Sequence, residues 1–452
     1  MSFKPRLTFW QIINMNVGFF GIQFSFGLQQ TAINPLYSFL KANPEQLPLL
    51  NLAGPMTGLL IQPIIGAMSD NTWSPKWGRR KPFFLTGAIF CSLCLFLFPF
   101  CIALWMAVTL LWLLDAANNT AMEPYRAFVA DKLPEVQHPT GFLTQSFFTG
   151  LGITLANVSL FLFQKVKALN NESAAGIPYW VYGSFFLGAV CSITSVVWSV
   201  SKTPEIPPTE EELAEMRSHK RGVLTPFVEI FGAIKDMPKI MKQLGLVYLF
   251  QWYAMFCYWQ FISHSIAASV YHTTEAQSKP LYEEAVGWTG LVNGWYNVVT
   301  FLSAFGLVWL AKKYSAKWVH ATCLLIASAA LFILPHIENK YLLFAPMIGF
   351  GVAWASMMGV PYIMVISSIP KKRYGVYMGI INMMIVVPMI LQTLTFGFIY
   401  KKVLGSDPQM AITFAGALLL VASICTLFIS YHKPLEEEAD LALSPFAQEQ
   451  GI

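Results

Sequence analysis

The sequence predicts an all-α membrane protein whose twelve transmembrane helices form two bundles of six. Of its 452 residues 55% are hydrophobic and only 12% are charged, about half the charged fraction of an ordinary soluble domain. The apolar residues come in long runs rather than in the ten-residue alternation of a membrane β-barrel. One long polar stretch, 202–243, divides these runs into two equal sets. These three observations favour a polytopic helical membrane protein.

Twelve apolar segments follow one another along the chain, each long enough to cross a bilayer. They are predicted at 8–40, 48–69, 82–101, 104–132, 140–165, 178–201, 244–272, 286–311, 316–335, 341–368, 373–400 and 409–431. The first is too long for the apolar core of a cleavable signal peptide, so we expect it to remain as an anchor. The predicted units are an N-terminal bundle (1–201), a linker (202–243), a C-terminal bundle (244–432) and a polar tail (433–452).

Lysine and arginine are distributed unevenly between the two sides of the membrane. With the N-terminus inside, the inner segments hold 21 of them and the outer loops hold 7. Because basic residues concentrate in cytoplasmic loops, this split predicts that both termini are cytoplasmic. The net charge of +5 follows from the topology and gives no support to nucleic-acid binding.

Sequence patterns of enzymatic chemistry do not stand out in the polar segments. We find no phosphate-binding glycine loop, zinc-type spacing or nucleophile elbow there. Cys91 and Cys94 have the spacing of a metal pair, but no histidine or second cysteine pair stands near them. We therefore expect a protein that is not an enzyme and that holds no metal and no cofactor.

Three charged side chains, Asp115, Glu123 and Arg126, interrupt the fourth span. An ionisable group inside a bilayer costs several kcal/mol, so it usually faces a polar pathway. Asp115 and Arg126 share a helix face but lie roughly 16 Å apart along it, too far for an ion pair. A buried carboxylate such as Asp115 can bind and release a proton, while Arg126 offers a fork of donors. Glu123 is either a partner of Arg126 or a second proton site; a buried structural network is the alternative for the whole set.

Amide side chains mark the faces of the first and fourth spans. Gln23, Gln30 and Asn34 share one face of the first span with Gln29 beside them, and Asn119 lies on the charged face of the fourth. Unpaired amides are costly in hydrocarbon, so these faces either line a wet cavity or bond neighbouring helices. Amides both donate and accept hydrogen bonds, which suits sugar hydroxyls.

The loop between the second and third spans carries a compact charged cluster of Gly66, Asp70, Gly78, Arg79 and Arg80. Gly66 permits a close helix approach, and the basic pair can bond Asp70 across the loop. We expect a cytoplasmic latch that breaks and reforms as the two halves move. The alternative is that the arginines have no gating role and occur here only because cytoplasmic loops are rich in basic residues.

One histidine, His264, lies well inside a predicted span, and it is either a satisfied core residue or a proton relay. The two halves also look like repeats, because Pro124-Tyr125 near the end of span four recurs as Pro361-Tyr362 near the end of span ten. The charges of span four have no counterpart in span ten. Parallel six-helix repeats are typical of major facilitators.

Several segments resemble the sucrose/proton symporters of plants and their animal and bacterial relatives. The matching segments are Gly58-Leu59-Leu60-Ile61-Gln62-Pro63-Ile64-Ile65-Gly66, Leu114-Asp115-x-Ala117-Asn118-Asn119 with Pro124-x-Arg126-Ala127, and Gly379-Ile380-Ile381-Asn382 with Pro388. The resemblance implies the major facilitator fold, a proton on Asp115 and a sugar bound by Arg126. Asn382 lies in the matched segment of span eleven, and we expect it to bind the substrate.

Three positions depart from the pattern of that family. The histidine that follows the first span in the family aligns near Pro44, and an acidic pair of span seven is replaced around Ile262-Ser263-His264. The glycine that precedes the proline of span four is Glu123. These departures affect the choice of sugar and the number of ions carried.

The sequence as a whole predicts a multi-pass protein of the cell membrane that acts as a monomer. Its expected partners are a small sugar, a proton and the lipid bilayer. We expect proton-coupled symport of a sucrose- or maltose-like glycoside by alternating access. The alternatives are a sodium-coupled or exporting facilitator for another polar solute and, of a different class, a sugar sensor that transports nothing.

Overall fold

The computed structural model describes residues 5–70, 72–134, 137–169, 171–211, 213–214, 228, 232–366 and 374–431. Within this part of the chain, twelve helices have 17 residues or more. They are α1 Phe9–Phe39, α2 Ala53–Asp70, α3 Lys81–Leu97, α4 Leu104–Lys132, α5 His138–Gln164, α6 Tyr179–Lys202, α7 Lys239–Tyr271, α8 Lys279–Leu310, α9 Ala316–Ile333, α10 Phe344–Ile366, α11 Tyr374–Lys402 and α12 Pro408–Leu427. The prediction of an all-α fold is confirmed.

Most helix ends lie within a few residues of the predicted ones, and α4 has the predicted bounds. Two helices begin earlier than expected: α7 at Lys239 rather than 244 and α8 at Lys279 rather than 286. In both helices the apolar sequence begins after the helix does, because helical backbone hydrogen bonding extends into the polar residues that precede the apolar span. Pro238 precedes α7 as its N-cap, so a proline rather than hydropathy defines that start.

Eight of the helical segments are long and apolar enough to cross a membrane, as judged on the described residues. The helices α1, α4, α7 and α8 fall below that criterion although they are among the longest, at 29 to 33 residues. Their buried faces carry polar side chains such as Gln23, Asp115 and Gln260. The low hydropathy of these helices therefore comes in part from groups that face the interior of the molecule.

Close helix packing organises each half. In the first half α1 packs against α5 and α6, and in the second α7 packs against α12. A Cβ atom on Gly27 of α1 would lie 2.7 Å from the Cβ of Ala156 in α5, so only glycine permits this crossing. The halves meet mainly where α5 packs on α8 and α2 packs on α11.

The molecule has two ends. We call the end where α1 begins and α12 ends the lower side, and the opposite end the upper side. On the upper side three ion pairs join the halves: Lys41 with Glu275 (3.4 Å), Lys401 with Glu45 (2.8 Å) and Lys279 with Glu172. The indole of Trp180 also donates to Glu283 across the same boundary (2.9 Å). The halves are therefore held together at the upper side.

Candidate solute-binding cavity

A cavity of about 1120 Å³ lies between the halves, lined by helices of both. This volume is at the upper end of the range for small-molecule sites. Its first-half wall is rich in amides and charges, namely Gln23, Gln29, Gln30, Asn34, Asn51, Gln62, Asp115, Asn119, Arg126 and Gln145. Its second-half wall is mostly apolar and includes the aromatic side chains of Trp252, Phe256, Trp259, Trp354 and Tyr362 beside Gln260, Asn297 and Asn382. One wall suits hydroxyl groups and the other suits the apolar faces of rings.

Asp115 lies in the middle of α4 and is buried, at 4% exposure. Its Oδ1 accepts a hydrogen bond of 2.8 Å from Nε2 of Gln29 on α1. Among the described residues no lysine or arginine forms an ion pair with it. The α2 backbone comes close here, since a Cβ atom on Gly54 would lie 3.7 Å from Oδ2. Asp115 is thus a buried carboxyl group held by one amide, and a bound proton would relieve the cost of its burial.

The amide of Gln29 is itself held by neighbours. Its Oε1 accepts from Asn118 Nδ2 (3.5 Å), and the same Nδ2 donates to Ser25 Oγ (2.9 Å). The carboxyl of Asp115 therefore ends a polar chain between α1 and α4. Gln29 thus bonds a neighbouring helix and also lines the cavity.

A second chain of amides crosses between the halves. Asn119 Nδ2 donates to the backbone oxygen of Asp115 (2.9 Å) and to Thr57 Oγ1 (3.1 Å). Gln62 Nε2 donates to Asn119 Oδ1 (2.6 Å), and Asn382 Nδ2 donates to Gln62 Oε1 (3.3 Å). Gln62 is a residue of the second-span segment that resembles the sucrose symporters, and it has no predicted role of its own. An amide in the middle of an apolar span was the signal that it has a polar partner.

The three other amides of α1, Asn34, Gln23 and Gln30, differ in their hydrogen-bond partners. Asn34 accepts from Asn51 Nδ2 (2.7 Å) and donates to the backbone oxygen of Trp259 in the other half (3.4 Å). Gln23 reaches Met122 Sδ at 3.9 Å. Gln30 is partly exposed and lines the cavity. Of the three, Gln30 is therefore the best placed to bind a solute.

Arg126 and Glu123 lie lower on α4, where the cavity is accessible to solvent. They form an ion pair of 3.1 Å, with side chains 49% and 30% exposed. Arg126 does not reach Asp115, in keeping with the separation expected from the helix geometry. Its guanidinium lines the cavity and has donors left for a solute.

The cluster around Gly78 is bound within the first half on the lower side. Glu205, after α6, accepts the backbone N–H groups of Arg79 (2.7 Å), Arg80 (2.9 Å) and Lys81 (2.8 Å). Gly78 has a φ of 82°, and a Cβ there would lie 2.6 Å from the Glu205 carboxylate. Glycine is needed at this position for both reasons.

The side chains of the two arginines extend the same cluster. Arg80 bonds Asp131 at the end of α4 (2.8 Å) and Ser69 Oγ at the end of α2 (2.6 Å). Arg79 Nε donates to the Ser69 backbone oxygen (3.3 Å). The side chain of Asp70 lies outside the described residues. At Gly66 a Cβ would meet no described atom within 4 Å, so the close approach expected there is not seen in this conformation.

A two-bundle membrane protein that encloses a polar and aromatic cavity is built as a solute transporter. The chain belongs to the Major Facilitator Superfamily, whose family model matches residues 17–393. This confirms the fold expected from the resemblance, and it makes the protein a multi-pass membrane transporter.

Two curated sucrose transport proteins are similar to this chain over most of its length. Sucrose transport protein SUC4 of Arabidopsis thaliana is 24% identical over 90% of this chain and 87% of its own length. Sucrose transport protein SUT5 of Oryza sativa subsp. indica is 23% identical over 90% of this chain and 85% of its own length. The resemblance to sucrose transporters is thereby confirmed.

Solved structures share the fold at low sequence identity. The nucleoside transporter NupG superposes with a TM-score of 0.67 at 13% identity, over 93% of this chain and 99% of its own. A bacterial homolog of the human lysosomal transporter Spinster, in an inward-facing and unoccupied conformation, gives 0.62 at 14% identity, over 94% and 98%. At these identities the likeness concerns the fold alone.

Proposed function

We propose that this protein is a proton-coupled sugar symporter that imports a glycoside by alternating access. The observation that carries the proposal is Asp115, a buried carboxyl in the wall of a solute-sized cavity with one amide as its partner. A group in this position can bind a proton when the cavity admits water and lose it when the surroundings change.

The chemistry of the cavity supports a sugar as the solute. Gln30 and Arg126 supply donors and acceptors on one wall. Trp252 and Trp354 supply ring faces on the other, and sugars present apolar C–H faces as well as hydroxyls. The names of the curated relatives, which are sucrose transport proteins, agree with this choice. We propose a sucrose- or maltose-like glycoside as the substrate class.

Following the predicted membrane orientation, we propose that the protein lies in a cell membrane with its lower side facing the cytoplasm. The upper side is then closed by the ion pairs between the halves, and Arg126 is reached from the cytoplasm. The conformation corresponds to an inward-open carrier. In the outward-open state the cluster of Gly66, Asp70, Gly78, Arg79 and Arg80 would close the lower side as the inner gate. We propose that a single chain carries out this cycle.

The test is uptake by proteoliposomes of a panel of radiolabelled sugars under an imposed inward proton gradient. A glycoside should accumulate above equilibrium, and a protonophore should abolish accumulation while leaving exchange of labelled for unlabelled sugar. Accumulation that follows a sodium gradient would replace the proposal by sodium coupling. Exchange of none of the sugars would favour a different polar solute or a sensor.

A further inference from the structure

His264 of α7 lies in the upper boundary between the halves, away from the cavity wall. Its Nε2 is 3.1 Å from Ser38 Oγ of α1 and 3.3 Å from the hydroxyl of Tyr282 on α8. Ser38 and Tyr282 are buried, at 4% and 0% exposure. Because α1 belongs to one half and α7 to the other, the contact of His264 with Ser38 exists only while the upper side is closed, whereas Tyr282 lies in the same half as His264.

The hydrogen bonds of this trio define which ring nitrogen carries the proton. Ser38 Oγ donates its hydrogen to the backbone oxygen of Asn34 (3.2 Å), and Tyr282 donates its hydrogen to Ser38 Oγ (3.3 Å). Nδ1 has no acceptor near it in the described part of the chain, so the neutral ring is best satisfied with its hydrogen on Nε2, which can donate to Ser38 or Tyr282 and leaves Nδ1 as a lone pair.

Nδ1 has no hydrogen-bond partner among the described residues and is shielded from solvent, although the residue as a whole is partly exposed. A proton added to Nδ1 would create a cation with an unsatisfied N–H in this boundary. An unpaired buried charge is costly, so the protonated ring favours a hydrated surrounding. Opening of the upper side would supply that water.

The charged groups along this boundary have partners other than the imidazole: Glu283 accepts from Trp180, Glu284 bonds Lys340 and Tyr271, and three lysine–glutamate pairs join the halves. The pairs are Lys41 with Glu275, Lys279 with Glu172 and Lys401 with Glu45. The hydrogen bond from Lys401 lowers the pKa of Glu45 further below its usual range. Burial raises the pKa of the Glu283 carboxyl in the same boundary, so a variant of His264 is needed to assign an acid response to the imidazole.

We propose that His264 is a second proton-binding site, which holds the upper side open when it is protonated. Closure of the upper side requires loss of the proton from Nδ1. Acid on that side thus keeps the carrier accessible to solute there, independently of the proton on Asp115. The inference uses the alternating opening of the proposed function but not the identity of its sugar.

The test measures the opening of the upper side directly. Spin labels at Val166→Cys and Val403→Cys, both exposed on the upper side in opposite halves, report the distance between the halves. Measurements in lipid nanodiscs between about pH 8 and pH 5 use an Asp115→Asn background, which removes the titration of the cavity. The ratio of long to short distances should rise with acid, by up to about tenfold per pH unit for uptake of one proton.

Two variants and a control decide the outcome. His264→Gln should abolish the pH dependence, whereas His320→Gln should retain it, because His320 is buried between α9 and α10 away from the boundary. Ser38→Ala removes the acceptor of Nε2 and should raise the open fraction at every pH while keeping the slope. A pH response in His264→Gln equal to that of its parent overturns the proposal. This readout needs no sugar, so failed sugar uptake would count against the proposed function alone.

Discussion

At the scale of single residues, the three charged side chains in the middle of α4 differ in their burial and in their bonding partners. Asp115 is buried against an amide, whereas Glu123 is partly exposed and shares its carboxylate with Arg126. Glu123 therefore bears no burial cost that a proton would relieve. The sequence leaves Glu123 as either a partner of Arg126 or a second proton site beside Asp115, and the ion pair with Arg126 favours the first.

Replacing each carboxylate by its amide tests the roles of Asp115 and Glu123 separately. Asp115→Asn should abolish uphill accumulation of sugar but keep exchange, because an amide preserves the shape of the site and cannot bind and release the proton. Glu123→Gln is the matched control and should retain accumulation. The measurement is uptake and counterflow in the same proteoliposomes. Loss of both processes in Asp115→Asn would mean that the carboxylate binds the sugar itself.

Arg126 is suited to a forked contact with the solute. Arg126→Lys keeps the charge but loses the fork, and a charged hydrogen bond is worth about 1.5–3 kcal/mol. The KM for sugar exchange should therefore rise about 10- to 100-fold, with proton coupling unchanged. An unchanged KM would remove Arg126 from the binding site and leave it as the partner of Glu123.

At the scale of elements, the start of α3 is held by a residue that lies far along the chain. Glu205 accepts three backbone N–H groups that precede or begin this helix. The first N–H groups of a helix have no partner within it and carry partial positive charge, so a carboxylate stabilises them. The contact ties the segment after α6 to the loop between α2 and α3.

Removing this carboxylate should destabilise the first half. Glu205→Ala leaves the three N–H groups without their acceptor, and we expect a loss of about 1–3 kcal/mol in stability. Thermal unfolding of the purified protein measures it, with the exposed Glu210→Ala as control. Equal melting temperatures for the two variants would show that water replaces Glu205 at little cost.

At the scale of the whole molecule, the observed conformation is held by polar contacts between the halves on the upper side. The ion pairs of Lys41, Lys279 and Lys401 involve exposed side chains. Such pairs are individually weak and are screened by salt. A carrier must leave either state readily, and weak pairs meet that requirement better than a large apolar interface.

Neutralising the three lysines together should shift the molecule towards opening on the upper side. The triple variant Lys41→Gln, Lys279→Gln, Lys401→Gln should show a larger fraction of long distances between labels at positions 166 and 403. High salt should produce the same shift in the unmodified sequence and little in the variant. If neither change alters the distances, apolar contacts between α1 and the second half hold this state.

The number of helices, their approximate ends and the polar faces of α1 and α4 can be predicted from the amino-acid sequence alone. These properties depend on hydropathy and helical period, which are local. The sequence also placed Asp115 and Arg126 too far apart to pair, because helix rise alone sets that distance.

Which polar groups contact one another depends on the tertiary structure. It paired Asp115 with Gln29, linked Gln62 to Asn382, brought Glu205 to the start of α3 and placed His264 against Ser38 and Tyr282. Each of these contacts joins segments that are separate along the chain, and several helix orientations could satisfy the same polar faces. Packing of the bundles selects one of them, so the partners of a buried polar group cannot be read from its own helix.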